Sequence, residues 1–181
     1  MRKMKGWGAL LLAGTLAVAL SGCAKPPAEE KQAAESSMNS AITAQAEVYA
    51  TAAMTEAKKL WDDAEAKMQH RAYKDAKIAY TAAKAGFDVA IGQVEAGKKA
   101  MAEENQTMGK SVEASWNELS KMAGSKVKKL EATVKPAWET DSKAIQDALA
   151  KAKDVANPAE AKKALADAKT LMDKWMQTFK K

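Results

Sequence analysis

The chain has 181 residues, with 29 basic and 23 acidic side chains, one histidine and one cysteine. A lone cysteine excludes an internal disulfide, so the fold must hold without covalent staples. The basic excess is small and its lysines are scattered among acids, which does not suit nucleic acid, where a clustered basic stripe is needed.

Taken from the amino terminus, Arg2, Lys3 and Lys5 supply three positive charges, and Gly6 to Leu20 is almost wholly apolar. A charged start, a short apolar run and small residues at its end describe an export signal. The run is short of the roughly 20 residues that cross a bilayer. It ends in Leu20-Ser21-Gly22-Cys23, which places the single cysteine directly after the signal. This stretch resembles the lipobox of bacterial lipoproteins. The resemblance implies cleavage before Cys23, a diacylglycerol on its sulfur and, usually, acylation of the new amine. Residues 1–22 are then a signal peptide, and 159 residues remain, with 26 basic against 23 acidic side chains. An aspartate after the cysteine would resemble the inner-membrane retention signal of enterobacterial lipoproteins. Ala24 stands there instead, so the implied location is the outer membrane, lipid-anchored on its periplasmic side.

Alanine makes up 37 of those 159 residues, followed by lysine and glutamate, with few strand formers. Alanine is the best helix former, and Lys, Glu, Gln, Met and Leu follow closely. An all-α fold is expected, built of elongated antiparallel helical hairpins or a small bundle with coiled-coil-like seams. Residues 23–27 (Cys-Ala-Lys-Pro-Pro) read as a lipidated tether, since two prolines do not sit inside a helix. Residues 28–181 read as one alanine-rich domain, with a hairpin over 28–104, a middle helix over about 105–134 and a hairpin over 136–180; over 72–134 the sequence allows either one long kinked helix or two helices broken near Glu104-Asn105.

The first helix is expected to run unbroken from 28 to 69, about 63 Å at 1.5 Å per residue. Its seam takes Ile42, Ala46, Tyr49, Ala53, Ala57, Leu60, Ala64 and Met68, in steps of three and four. The seam changes phase near Gln69-His70-Arg71, where a tight turn is expected, and resumes through Tyr73, Ala76, Tyr80, Ala83, Phe87, Ile91 and Val94. Gly86, Gly92 and Gly97 mark kinks or close approaches. A third series runs from Met108 through Trp116 and Leu119 to Val134, and Val134-Lys135-Pro136 interrupts it. Trp138 to Ala156 forms another helix. Asn157-Pro158-Ala159-Glu160 reads as a new start, with Asn as N-cap and Pro at the first helical position.

Two internal likenesses accompany this layout. Asp63-Ala64-Glu65-Ala66-Lys67 is echoed by Asp147-Ala148-Leu149-Ala150-Lys151, and Ala76, Tyr80, Ala83 by Ala161, Leu165, Ala168. Ala64, Tyr73, Ala76, Tyr80 and Ala83 also resemble the small-and-aromatic spacing of a tetratricopeptide hairpin. With the lipobox and the Pro-Pro tether, the chain is similar to alanine-rich helical-hairpin lipoproteins of Gram-negative bacteria, a resemblance that brings no known activity.

The residues that bear chemistry are few. His70 has no second His or Cys at ligand spacing, so no metal site is expected. No Gly-x-Ser-x-Gly elbow and no phosphate loop occurs. The adjacent pairs Asp62-Asp63 and Glu103-Glu104 point about 100° apart on a helix and do not converge. Glu56 with Lys59 and Asp167 with Lys174 read as surface charge. Trp61, Trp116, Trp138 and Trp175 are expected to fill the gaps that alanine leaves. Exposed beside Met101, Met108, Met172 or Met176, they would instead mark a docking surface. Phe179-Lys180-Lys181 resembles the terminal lysine by which the major murein lipoprotein is joined to peptidoglycan.

The sequence thus leads to a non-enzymatic, cofactor-free protein whose one assigned site is lipidation at Cys23. Its expected role is a periplasm-facing scaffold or adaptor that binds a periplasmic or outer-membrane protein. The alternative is an envelope-structural lipoprotein associated with peptidoglycan.

Overall fold

In the computed structural model, residues 25–154 and 156–180 are described. All of the regular structure among them is helical: α1 (Ala28–Thr43), α2 (Ala46–Tyr49), α3 (Thr51–Gln69), α4 (Tyr73–Lys126), a 3-10 turn (Val127–Lys129), α5 (Lys135–Lys151) and α6 (Pro158–Lys180). None of these helices is long and apolar enough to cross a membrane.

The expected unbroken helix over 28–69 is not what forms. Gln45 adopts a left-handed backbone, φ 62°, and Ala50 lies off the helical region at φ −131°. The chain reverses between Thr43 and Thr51, with α2 as a single turn inside the reversal, and α1 and α3 become two arms of about 24 and 28 Å. The reason is burial. On α1 only Ala34, Ser37 and Ala41 are buried, and folding back lays that narrow face on α4, where a straight helix would leave it in water. Ile42 and Leu60, placed on the seam by spacing alone, are 44% and 37% exposed, while Ala50 and Met54 fill the core instead.

Of the two arrangements open for residues 72–134, the continuous helix is the one that forms. α4 continues for 54 residues, about 81 Å, so 105–134 is not a separate middle helix and no hairpin closes at 104. Ala100-Met101-Ala102-Glu103-Glu104 are strong helix formers, and nothing there stops the ladder. The helix ends at Lys126, before Val134. Leu130 and Val134 still pack, half-buried, on the core.

α4 serves two three-helix units. In the first, α1 runs up, α3 down and the first half of α4 up. In the second, the last part of α4 runs up, α5 down and α6 up. Each unit has its own apolar core, one around Tyr80, Phe87 and Met54 and the other around Trp175, Phe179 and Leu119. The internal echo falls on equivalent places. Ala76, Tyr80, Ala83, Phe87, Ala90 and Val94 of α4 are all buried, as are Ala161, Leu165, Ala168, Met172, Trp175 and Phe179 of α6. Each pair is 85 residues apart, so the third helix of both units presents the same face.

Alanine at the contacts lets backbones approach, and glycine lets one contact tighten further. A Cβ built on Gly97 would run into the carbonyl of Tyr49 at the end of α2. Gly124, in contrast, has open space around it. Gly97→Ala should therefore destabilise the protein by about 1–3 kcal/mol, the usual cost of overpacking. Gly124→Ala should stabilise it by up to about 1 kcal/mol through helix propensity. Urea unfolding followed by circular dichroism measures both, and equal effects would contradict the close approach.

Candidate functional site

Cys23, the expected lipidation site, lies outside the described residues, as does Lys181. From Pro27 onward the chain is packed into the fold. Pro27 is buried, and α1 begins at Ala28 with Glu29 and Glu30 in its first turn, where carboxylates oppose the positive helix end. One turn on, α1 is clamped to both neighbours. Lys31 Nζ lies 2.6 Å from Glu65 Oε1 of α3, and the fully buried Tyr80 of α4 donates its hydroxyl to the same oxygen at 2.5 Å. The Lys31 ammonium also stands 5.7 Å from the Trp61 ring centre and 5.9 Å from that of Tyr80, close enough for cation–π attraction. Trp61 meets Tyr80 edge-on at 5.4 Å. Glu30 pairs with Lys77 at 2.7 Å. The tether therefore leads into the end of the first unit where α3 turns into α4.

His70 lies exposed in that turn, next to Arg71, whose φ is 57°. No group of three or more His, Cys, Asp or Glu side chains that could hold a metal ion occurs among the described residues. Asp62, Asp63, Glu103 and Glu104 are all exposed. Asp63 pairs along its own helix with Lys67, and Glu104 reaches Lys162 of α6 at 2.9 Å. Glu56 pairs with Lys59 at 2.8 Å. The expected pairing of Asp167 with Lys174 is replaced. Lys174 turns instead to Asp141 of α5, 2.9 Å away, and the same oxygen also accepts from Trp175 Nε1 at 2.8 Å.

That contact belongs to the aromatic core of the second unit. Trp138 stacks on Trp116 at 6.0 Å and meets Trp175 and Phe179 edge-on at 5.2 and 5.1 Å. Trp175 and Phe179 are 1% and 2% exposed, while Trp61, Trp116 and Trp138 are half-buried. Lys126 at the end of α4 donates to the Phe179 carbonyl, capping the end of α6. The four described tryptophans are packing elements, Met172 is buried in the same core as Trp175, and none of the four is fully exposed.

An open groove lies between α4 and α5, about 500 Å³ in volume. Its floor is made where Gly109 lets Ala152 come close; a Cβ on Gly109 would stand 3.2 Å from that of Ala152. Leu149 and Ala150 give it an apolar wall, and Gln106, Lys110, Glu113 and Lys153 line its rim. The groove thus combines an apolar floor with a rim of mixed charge. Spacing did not point to it, because its walls come from helices about 40 residues apart in the chain. Residue 107 sits about 45 Å along α4 from residue 77, where the tether enters. No protein-family model, no curated protein and no solved structure matches the chain.

The two acid–aromatic contacts carry a pH dependence. Burial pushes the Glu65 carboxyl up, but hydrogen bonds from Lys31 and Tyr80 and the Lys31 charge outweigh it and hold the group below its ordinary 4.5. Asp141 behaves alike: burial raises it, while Lys174 and Trp175 bring it below its ordinary 3.8. Burial and the neighbouring Glu65 hold the Tyr80 hydroxyl well above the ordinary phenol range. Carboxylates lowered on folding stabilise the protein above their ordinary values, and that stability is lost as pH falls through the folded values. Stability should therefore decline below about pH 4.5, and Glu65→Gln should flatten the decline while costing about 1 kcal/mol at pH 7. Trp138→Ala should cost about 3 kcal/mol at every pH. Thermal unfolding from pH 3 to 8 tests all three; an unchanged acid limb in the Glu65 variant would remove the carboxylate from the account.

Proposed function

We propose that this chain is a non-enzymatic, lipid-anchored helical scaffold or adaptor of the bacterial cell envelope, facing the periplasm and binding a protein partner. The reading rests on Leu20-Ser21-Gly22-Cys23 closing an export signal. The single structural observation that favours it is the division of labour between the two units. The unit that receives the tether is clamped by Lys31, Glu65 and Tyr80, and the groove opens on the other unit, about 45 Å away along α4. An acyl anchor on Cys23 would hold one end at the outer membrane and leave the groove available. Two or more acyl chains suffice for lasting attachment, while one gives marginal binding.

Mass spectrometry of the mature amino terminus should find a diacylglyceryl, acylated Cys23, and Cys23→Ser should leave the precursor uncleaved. An unmodified cysteine would end the lipoprotein reading. For the adaptor role, a photo-crosslinking side chain at Lys110 in intact cells should give a discrete protein adduct. Ala150→Trp, which fills the groove from an exposed position, should abolish it. Recovery of the protein only after murein digestion, with no protein adduct, would replace the adaptor by the peptidoglycan-associated alternative.

A further inference from the structure

α4 carries a second apolar face that is exposed at all but one of its positions, Ala82 being half-buried. Ile78, Ala82, Ala85, Val89, Gly92 and Ala96 follow one another in steps of four and three, the spacing of a helix–helix seam. At 100° per residue this face lies on the far side of the helix from the buried Ala76, Ala83, Phe87 and Val94. Ile78 and Val89 are 70% and 55% exposed, the two most exposed of the large hydrophobic side chains. The same steps continue into charge at both ends. Asp75 and Arg71 precede the apolar run, Arg71 from the turn just ahead of the helix, and Lys99 and Glu103 follow it. All four are exposed.

We propose that this face is a homodimer interface, in which α4 of a second copy packs antiparallel across a two-fold axis at residue 87. Each residue then meets the one equally far from 87 on the other chain. Asp75 falls opposite Lys99 of the second copy, so two opposite-charge pairs form around the axis. A parallel arrangement would set each of these charges against its own kind. Size complements charge. Ile78 meets Ala96, Val89 meets Ala85 and Ala82 meets Gly92, a large residue facing a small one or two small ones together. The helices therefore keep an even separation along the seam, whereas a parallel pair would alternate Ile–Ile and Val–Val with Gly–Gly layers. From Asp75 to Lys99 the contact would run about 36 Å. Like-charge juxtaposition is what excludes the wrong orientation, as in other helix pairings.

The test uses the mature full-length protein, purified from membranes in detergent and followed by sedimentation equilibrium. A dimer is expected, and Val89→Lys should make it monomeric while circular dichroism stays unchanged, because residue 89 is outside both cores. Asp75→Lys should weaken association about tenfold, and Asp75→Lys/Lys99→Asp should restore it. Co-expressed Ile78→Cys and Ala96→Cys chains should oxidise to a mixed disulfide. Ile78→Cys alone should not, since residue 78 and its own copy would be separated by about 27 Å along the seam. A monomer at all concentrations, a dimer indifferent to Val89→Lys, a double variant no tighter than Asp75→Lys, or a disulfide between two Ile78→Cys chains would overturn the proposal.

Discussion

Continuity of α4 is the constraint on which the rest of the structure depends. One helix of 54 residues supplies a wall to both apolar cores, so neither unit is placed independently of the other. Helices this long are not stabilised by propensity alone; packing of their apolar faces supplies most of the stability. Here the packing is done largely by alanine, which contributes little apolar area per residue but lets helices come close. The tight contact of Gly97 with the Tyr49 carbonyl is the limit of that strategy. Where more apolar area is needed, a few large side chains are set among the alanines: Tyr80 and Phe87 in one unit, Trp175, Phe179 and Trp138 in the other.

The two units solve the same problem with different residues. At the end where the tether enters, Glu65 of the second helix joins the third helix through the Tyr80 hydroxyl and the first helix through Lys31. In the other unit Asp141 of the second helix joins the third through both Trp175 and Lys174. In each case one carboxylate oxygen holds a buried aromatic and a lysine whose ammonium stands beside an aromatic ring. The arrangement satisfies the polar edge of the aromatic ring and fixes the register between helices. A further lock in the second unit lies near the middle of α4. Buried Asn105 donates to the Pro158 carbonyl at 2.6 Å, tying α4 to the start of α6.

These contacts give the proposed adaptor its mechanical character. The start of α1 is joined to the first unit through Pro27, Glu30 and Lys31, and the continuous helix α4 links that unit to the groove between α4 and α5. Three faces of one helix thus do three things: one buries the two cores, one lines the groove with Gly109 and Lys110, and one, through Ile78 and Val89, is offered to a second copy.

The sequence by itself determined the helical class, because alanine, lysine and glutamate leave no basis for a sheet, and it located the turns that proline or a phase change marks, at 70–72 and 157–158. It also carried the equivalence of Ala76, Tyr80 and Ala83 with Ala161, Leu165 and Ala168. It did not locate the reversal at 44–50, which contains neither glycine nor proline. Nor did it decide that α4 runs unbroken past Glu104, that Lys174 turns to Asp141 rather than Asp167, or that a groove opens beside Gly109. Those outcomes rest on which helix lies against which. In an alanine-rich chain nearly every helix face is small and apolar enough to pack, so periodicity allows several partners, and only the tertiary arrangement selects among them by burying the most surface.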